Sequence, residues 1–450
     1  MRTRLTGLML FISISVFAGN KKTERPMLFP DGTTPITEWF VQSGKIDVNG
    51  LGQRYRVTDY GVRQDSTLIQ TDRLQAVIDR CSDAGGGVVV IPKGTFLSGA
   101  LFFKKGTHLH FEEGGKLKGV DAIKHYPLID MHMEGLPVKY FAALVNADNA
   151  DGFTITGKGT IDGNARRFWE EFWIRRQFNN NCTNLEALRP QLVYISNSDD
   201  VTVQDVRLVN SAFWTNHLYR CNRIKFIDCH IESPTEGKTK APSSDGIDLD
   251  VCNDVLVKGC FINVCDDGVC LKGGKGTFVD KDSTSGPVNR VIVDSCRFGK
   301  FTNAGVTFGS EAFDCNNIIM RNCVFENSDH VVLFKMRTDT PQNYRNVLVD
   351  NCSGKAKRAI EFSSWGQFHN ISERPDMPVS TVENVTISNM DIHSNRFLYV
   401  KKGHKKTEHK FNIKNVTLVN ITATDNSNNY DIKDIEGLKV KNVTLNGNKL

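Results

Sequence analysis

The chain has 450 residues, 40% of them apolar and 24% charged, with 37 Gly and 13 Pro. This composition excludes a disordered chain, a collagen-like chain and a multi-span membrane protein. Its 56 basic and 51 acidic residues leave a formal charge of +5. The excess is small and spread out, with no basic run long enough to suggest nucleic acid, and it is compatible with an anionic substrate.

The first residues, MRTRLTGLMLFISISVFAGN, read as a cleaved secretory signal. Arg2 and Arg4 form the positive end, an apolar run extends from Leu5 to Phe17, and the small residues Ala18 and Gly19 follow. An uncleaved anchor is the alternative. The expected division is signal peptide at 1–20, an N-terminal extension at 21–54 and one long domain at 55–450. The protein is then exported, periplasmic or extracellular, with no membrane span once the signal is removed. A monomer is expected.

From Thr71, the run TDRLQAVIDRC places Leu74, Val77, Ile78 and Cys81 on one helical face, with Thr71 as N-cap and Gly85–Gly87 ending the helix. ADGFTITGKGTIDG at 150–163 shows apolar alternation in the manner of strands. FWEEFWIRRQFNNNCTN at 168–184 interrupts that pattern and reads as a long insertion lining a cleft.

From residue 197 one unit recurs: polar residues, then alternating apolar positions. The first apolar strand residues are Val201, Ile224, Val255, Val291, Ile318, Val347, Val385, Val416 and Leu438, at intervals of 22 to 38 residues. Alternation without intervening helical periodicity predicts a parallel β-helix, with the 71–81 helix capping its open end. Five residues after each mark stand Val206, Cys229, Cys260, Cys296, Cys323, Cys352, Met390, Ile421 and Val443. Three before stand Ser198, Cys221, Cys252, Val288, Cys315, Tyr344, Val382, Ile413 and Ile435. Eight of the twelve cysteines fall in these two columns. They are expected to be stacked free thiols packed as small apolar groups, since disulfide frameworks belong to domains too small for a core. The spacing offers no zinc site. The Asn-x-Thr/Ser triplets at Asn384, Asn415 and Asn442 belong to the repeat and are not evidence for glycosylation.

Aligned on the following strands, SDGIDLD, DDGVCLKG, NAGVTFGSE, HVVLFKM and RAIEFSS place Asp245, Asp267, Ala304, His330 and Arg358 in one column, with Asp266 and Asn303 one residue earlier. Neighbouring strands lie about 4.7–4.9 Å apart, so three carboxylates crowd onto two coils. Crowded like charges raise at least one pKa. Glycoside hydrolysis needs that division: one carboxyl keeps its proton for the leaving oxygen while another draws a proton from water. The same residues taken singly read as a solvated turn, a structural histidine and a surface arginine. Three Asp are also a donor set for Ca²⁺.

At these residues the sequence resembles the polygalacturonases of glycoside hydrolase family 28, from about residue 55 to the end. The anchors are APSSDGID at 241–248, CDDGVCLKGG at 265–274, FGSE at 308–311, LFK at 333–335, ITGKGTIDG at 155–163 and NSAFWTNH at 210–217. The resemblance implies a right-handed, single-stranded parallel β-helix of the pectin-lyase-like kind and inverting hydrolysis with no metal or cofactor. Asp266 becomes the general acid, and Asp245 and Asp267 the bases that position and activate water. Lys335 becomes the lysine that binds a substrate carboxylate.

Two departures bear on the substrate. Asn303 stands where the family usually has a histidine, and Leu333 where it usually has an arginine. His330, Arg337 and Arg358 are the candidates to replace the lost cation, and Trp214 and His217 form a candidate sugar platform one coil before Asp245. The expected function is hydrolysis of α-linked galacturonic acid in pectin, exo-acting or directed at rhamnogalacturonan. A Ca²⁺-dependent pectate-lyase-like enzyme is the second reading, distinguished by EDTA sensitivity and an ultraviolet-absorbing product. A non-catalytic pectin-binding solenoid is the third.

Overall fold

The computed structural model describes residues 27–42, 44–233, 239–366, 374–404, 407–408, 411–427 and 432–450. The expected signal peptide lies outside the described residues.

Thirty-one strands join one sheet, almost all of it parallel, in which each strand pairs with its equivalent one coil earlier and one coil later. The fold is an all-β parallel β-helix. The apolar marks read from the sequence are register partners: Ile224 with Val255, Val255 with Val291, Val291 with Ile318, Ile318 with Val347, Val347 with Val385 and Val385 with Val416. All seven belong to one continuous core that runs the length of the coil. All twelve cysteines are buried and free. Within the columns six of the eight thiols donate to main-chain carbonyls of the preceding coil, as Cys229 does to Val203 at 3.3 Å.

The corners between strands are turned by asparagines in the left-handed region, among them Asn346, Asn384 and Asn415 at φ 54–57°. Asparagine tolerates this conformation better than most residues. Their side chains stack, Asn384 Nδ2 donating to Asn346 Oδ1 and Asn415 Nδ2 to Asn384 Oδ1, each at 3.2 Å. Asn442 donates in the same way to Asn420. The three triplet asparagines are thus rungs of side-chain ladders.

The capping helix spans Thr71–Asp83 and buries Leu74, Val77, Ile78 and Cys81 against the first coils. Its N-cap is Gln70, not Thr71. Thr71 Oγ1 instead accepts from the Gly99 N–H at 2.7 Å, tying the helix to a neighbouring strand.

Three features go beyond the repeat. The N-terminal stretch lies along an outer face, with Phe29, Ile36 and Phe40 packed on Ile227, Leu256, Ile292 and Ile319 of four successive coils. Asp31 is tied there to Asn317. An antiparallel hairpin, Leu128–Met133 with Leu136–Phe141, lies over the face that carries the carboxylate column, where Met131, Met133 and Tyr140 pack with Tyr194, Phe213 and Trp214. The 168–184 insertion holds a helix, Arg166–Phe178.

Candidate active site

The carboxylates are placed by the tightness of the coil. Gly246 N–H donates to Asp267 O and Gly268 N–H to Ala304 O, each at 2.8 Å. A Cβ on Gly246 would sit 2.5 Å from the Gly268 carbonyl oxygen, and one on Gly268 would sit 2.8 Å from the Phe298 ring. Each Asp-Gly pair therefore turns its corner with no side chain in the way, and Asp245 and Asp267 become neighbours. The nearest oxygens of Asp245, Asp266 and Asp267 all lie within 4.8 Å of one another. They open onto a cavity of about 280 Å³.

The three carboxyls do not share one charge state. Burial, then the charge of Asp267, pushes Asp266 up to about 6, although Lys335, Lys272 and Lys240 pull the other way. Burial, then the charge of Asp266, also holds Asp245 well above the usual carboxylate range. Burial opposes the charge on Asp267 too, but it is outweighed there. Lys335 Nζ lies 2.6 Å from Oδ2, and Asn303 Nδ2 donates to Oδ1 at 2.7 Å, so Asp267 titrates below its ordinary value. Asp245 and Asp266 are the proton-bearing members and Asp267 the ionised one. One lobe of Asp267 that a metal ion would need is already taken by the lysine.

Of the residues read from the sequence, Trp214, Asp245, Asp266, Asp267, Asn303 and Lys335 line the cavity. The other four do not. His217 is fully buried, 3.3 Å from Asp250 Oδ2, and its ring stands edge-on to Trp214 from behind. It supports the platform and cannot touch a sugar in the cavity. Arg337 is 1% exposed and held in a two-point bond to Asp339, both contacts at 2.7 Å. It is buried structure, not a surface cation replacing the arginine absent at Leu333. His330 is buried, with Nδ1 3.0 Å from the Asn303 carbonyl oxygen and Nε2 2.9 Å from Glu361. Its main-chain N–H also bonds Asn303 O, so it fixes the residue that bonds Asp267. Arg358 stands beyond the cavity, 3.1 Å from Glu361. The column itself is in register: Ala304 pairs with His330 and His330 with Arg358.

Thirteen of the nineteen lining residues were not among the site residues read from the sequence, although the 168–184 insertion was expected to line a cleft and does so. Lys272 Nζ lies 3.1 Å from Glu311, 3.7 Å from Asp248 and 4.6 Å from the centre of the Trp214 ring. That ring is therefore covered by an ammonium. Lys272 and Lys335 keep their charge, since the surrounding carboxylates outweigh burial. The insertion contributes Phe172, Trp173, Arg176 and Asn184, and the hairpin turn contributes Glu134. Trp173 Nε1 donates to the Lys240 carbonyl at 2.7 Å, and Asn184 Nδ2 to Glu134 at 2.9 Å. The helix, the hairpin and the 240 loop thus close around the cavity together. The motifs CDDGVCLKGG and FGSE did contain Lys272 and Glu311, but nothing in their spacing said that these two would meet.

A family model described as glycosyl hydrolases family 28 matches residues 81–353. The chain is 27% identical over 238 residues to an exopolygalacturonase of Zea mays, covering 51% of each chain. It is 25% identical over 231 residues to a probable polygalacturonase of Vitis vinifera, covering 48% of this chain and 44% of that protein. The match thus spans about half the length of these curated relatives. Among solved structures, the exopolygalacturonase of Thermotoga maritima superposes with a TM-score of 0.69 at 20% identity, covering 88% of this chain and 93% of that one. At that identity the likeness speaks for the fold alone.

Proposed function

The chain belongs to family 28 of the glycosyl hydrolases, and from that membership we propose that it is an exported, inverting, exo-acting hydrolase of α-linked galacturonic acid in pectin, with residues 55–450 as its catalytic domain. The observation that carries this reading is the split within the trio, with Asp266 held at about 6 beside an Asp267 kept ionised by Lys335. Asp266 gives its proton to the glycosidic oxygen as the bond to the sugar breaks. Asp267 takes a proton from the attacking water, and Asp245, one coil away, orients that water with a carboxyl that is largely neutral in the free protein. The reading of inversion rests on family membership.

The cations Lys240, Lys272, Lys335 and Arg176 around the cavity suit an anionic sugar. The hairpin and the insertion helix cover the coils that precede Asp245, which favours attack at a chain end over attack in mid-chain. Export rests on the Arg2–Gly19 pattern, and among the described residues no helix is long and apolar enough to cross a membrane.

The test is digestion of galacturonan and rhamnogalacturonan oligosaccharides of defined backbone, with the product anomer read by NMR. Release of single galacturonate units with inverted configuration is expected. An unsaturated product lost on addition of EDTA would establish the lyase instead, and binding without turnover would establish the non-catalytic solenoid.

A further inference from the structure

The corner column that begins with the catalytic aspartates continues past Arg358. Its next member is Arg396, the register partner of Arg358, and on the outward face Tyr399 is the partner of Glu361. Along one edge the residues run from carboxylates through His330 to two arginines. Arg358 lies three coils beyond Asp267 and Arg396 four, roughly 14 and 19 Å along the axis at the usual strand spacing. This is the direction that the hairpin and the insertion helix leave uncovered.

The two guanidiniums share one aromatic ring, lying 5.6 and 4.1 Å from the centre of Tyr399. Arg358 is compensated, with Nη1 3.1 Å from Glu361 Oε2 and 3.1 Å from His330 Nε2. Arg396 is only half-buried, and among the described residues its one charge-stabilising contact is the ring. Like charges facing each other on adjacent strands are destabilising, and a ring face offsets only part of that. A carboxylate laid between the two forks would satisfy both.

We propose that Arg358, Arg396 and Tyr399 form a second carboxylate-binding site on the same edge of the coil, taking the distal, de-esterified part of a galacturonan chain whose end is cleaved at the aspartates. Tyr399 holds the guanidiniums side by side, and each coil advances by about the length of one sugar unit, so the site reads charge several units from the bond that breaks. Methyl esterification there removes the charge that it recognises. The proposal rests on the galacturonan reading of the cleft.

Its test is calorimetric binding of de-esterified and fully methyl-esterified oligogalacturonides to Asp266→Asn and to Asp266→Asn/Arg396→Gln, alongside wild-type hydrolysis. The Arg396 change is expected to weaken the de-esterified chain by about tenfold, the loss of one charge-assisted contact, and to leave the esterified chain unaffected. Arg396→Lys, which keeps the charge but not the planar fork, is expected to recover part of the loss. Wild-type hydrolysis with unchanged affinity in the Arg396 variants overturns this site alone. A wild-type protein that neither binds nor cleaves any galacturonan overturns the reading of the cleft and this site with it.

Discussion

Lys335 Nζ lies 2.6 Å from Oδ2 of Asp267, a residue 68 positions earlier in the chain. The two stand on coils that are not adjacent, since the coil of Ala304 runs between that of Asp267 and that of His330 and Lys335. Without the ammonium, Asp267 would be a buried carboxyl crowded by two others, and burial would neutralise it. With it, one aspartate is ionised while its sequence neighbour Asp266 keeps a proton up to about pH 6.

Replacing this lysine should therefore damage the base and not only the grip on substrate. In Lys335→Met the pKa of Asp267 rises, so the base becomes protonated at a higher pH. A pH profile of kcat/KM should show its acidic limb moved upward and a loss at the optimum of about 100-fold or more. A loss with the limb unmoved would confine Lys335 to substrate binding.

The wild-type profile follows from the same groups. Asp266 must hold a proton to act, and it loses that proton as pH rises through about 6. Asp267 is ionised throughout and protonates only below the ordinary carboxylate range. Activity should be high in mildly acidic solution and fall as pH rises past about 6. A rate still rising at neutral pH would contradict the assignment of Asp266.

Asp266→Asn separates catalysis from stability. Turnover should fall by about 10²–10⁴-fold, the usual worth of a general acid. The folded-state pKa of Asp266 lies above its ordinary 3.8, so the contribution of its proton is fully present below 3.8 and is lost as pH rises through about 6. Asparagine cannot ionise. At pH 7 the variant should be more stable than wild type by about 1–3 kcal/mol, with the gap closing towards pH 4, as thermal melts at the two pH values would show.

The stacked thiols predict a chemical signature. Burial pushes Cys221 of one column up to about 12, and Cys81 and Cys265 outside the columns up to about 11, and all twelve cysteines are buried. Alkylation should be negligible on the native protein and should add twelve groups after denaturation, read by intact mass. Four or more disulfides would contradict the packing. Cys296→Ser, which puts a hydroxyl into the apolar column, should cost about 1–3 kcal/mol.

The coil was legible because its rule is local: an apolar mark, a residue five on and a residue three back recur with each turn, and the register repeats them. The Asp-Gly corners were legible for the same reason. The helix at Arg166–Phe178 was not, because its buried Phe168, Trp169 and Phe172 sit among Arg and Glu with no clean apolar stripe. His217 and Arg337 looked like site residues because a column fixes where a residue stands along the coil, but not whether its partner is a sugar or a buried Asp250 or Asp339. Contacts such as that of Lys272 with Glu311 depend on loops of unequal length, which the repeat does not encode.

The N-terminal stretch carries a consequence for how the molecule is made. Asn317, the partner of Asp31, is joined 286 residues after it. Phe29, Ile36 and Phe40 are covered only coil by coil, as Ile227, Leu256, Ile292 and Ile319 are added in turn, while each new coil can settle on the one before. This early segment thus docks late, and a nascent chain halted short of Ile227 carries it as a loose, sticky tether on an otherwise growing spiral.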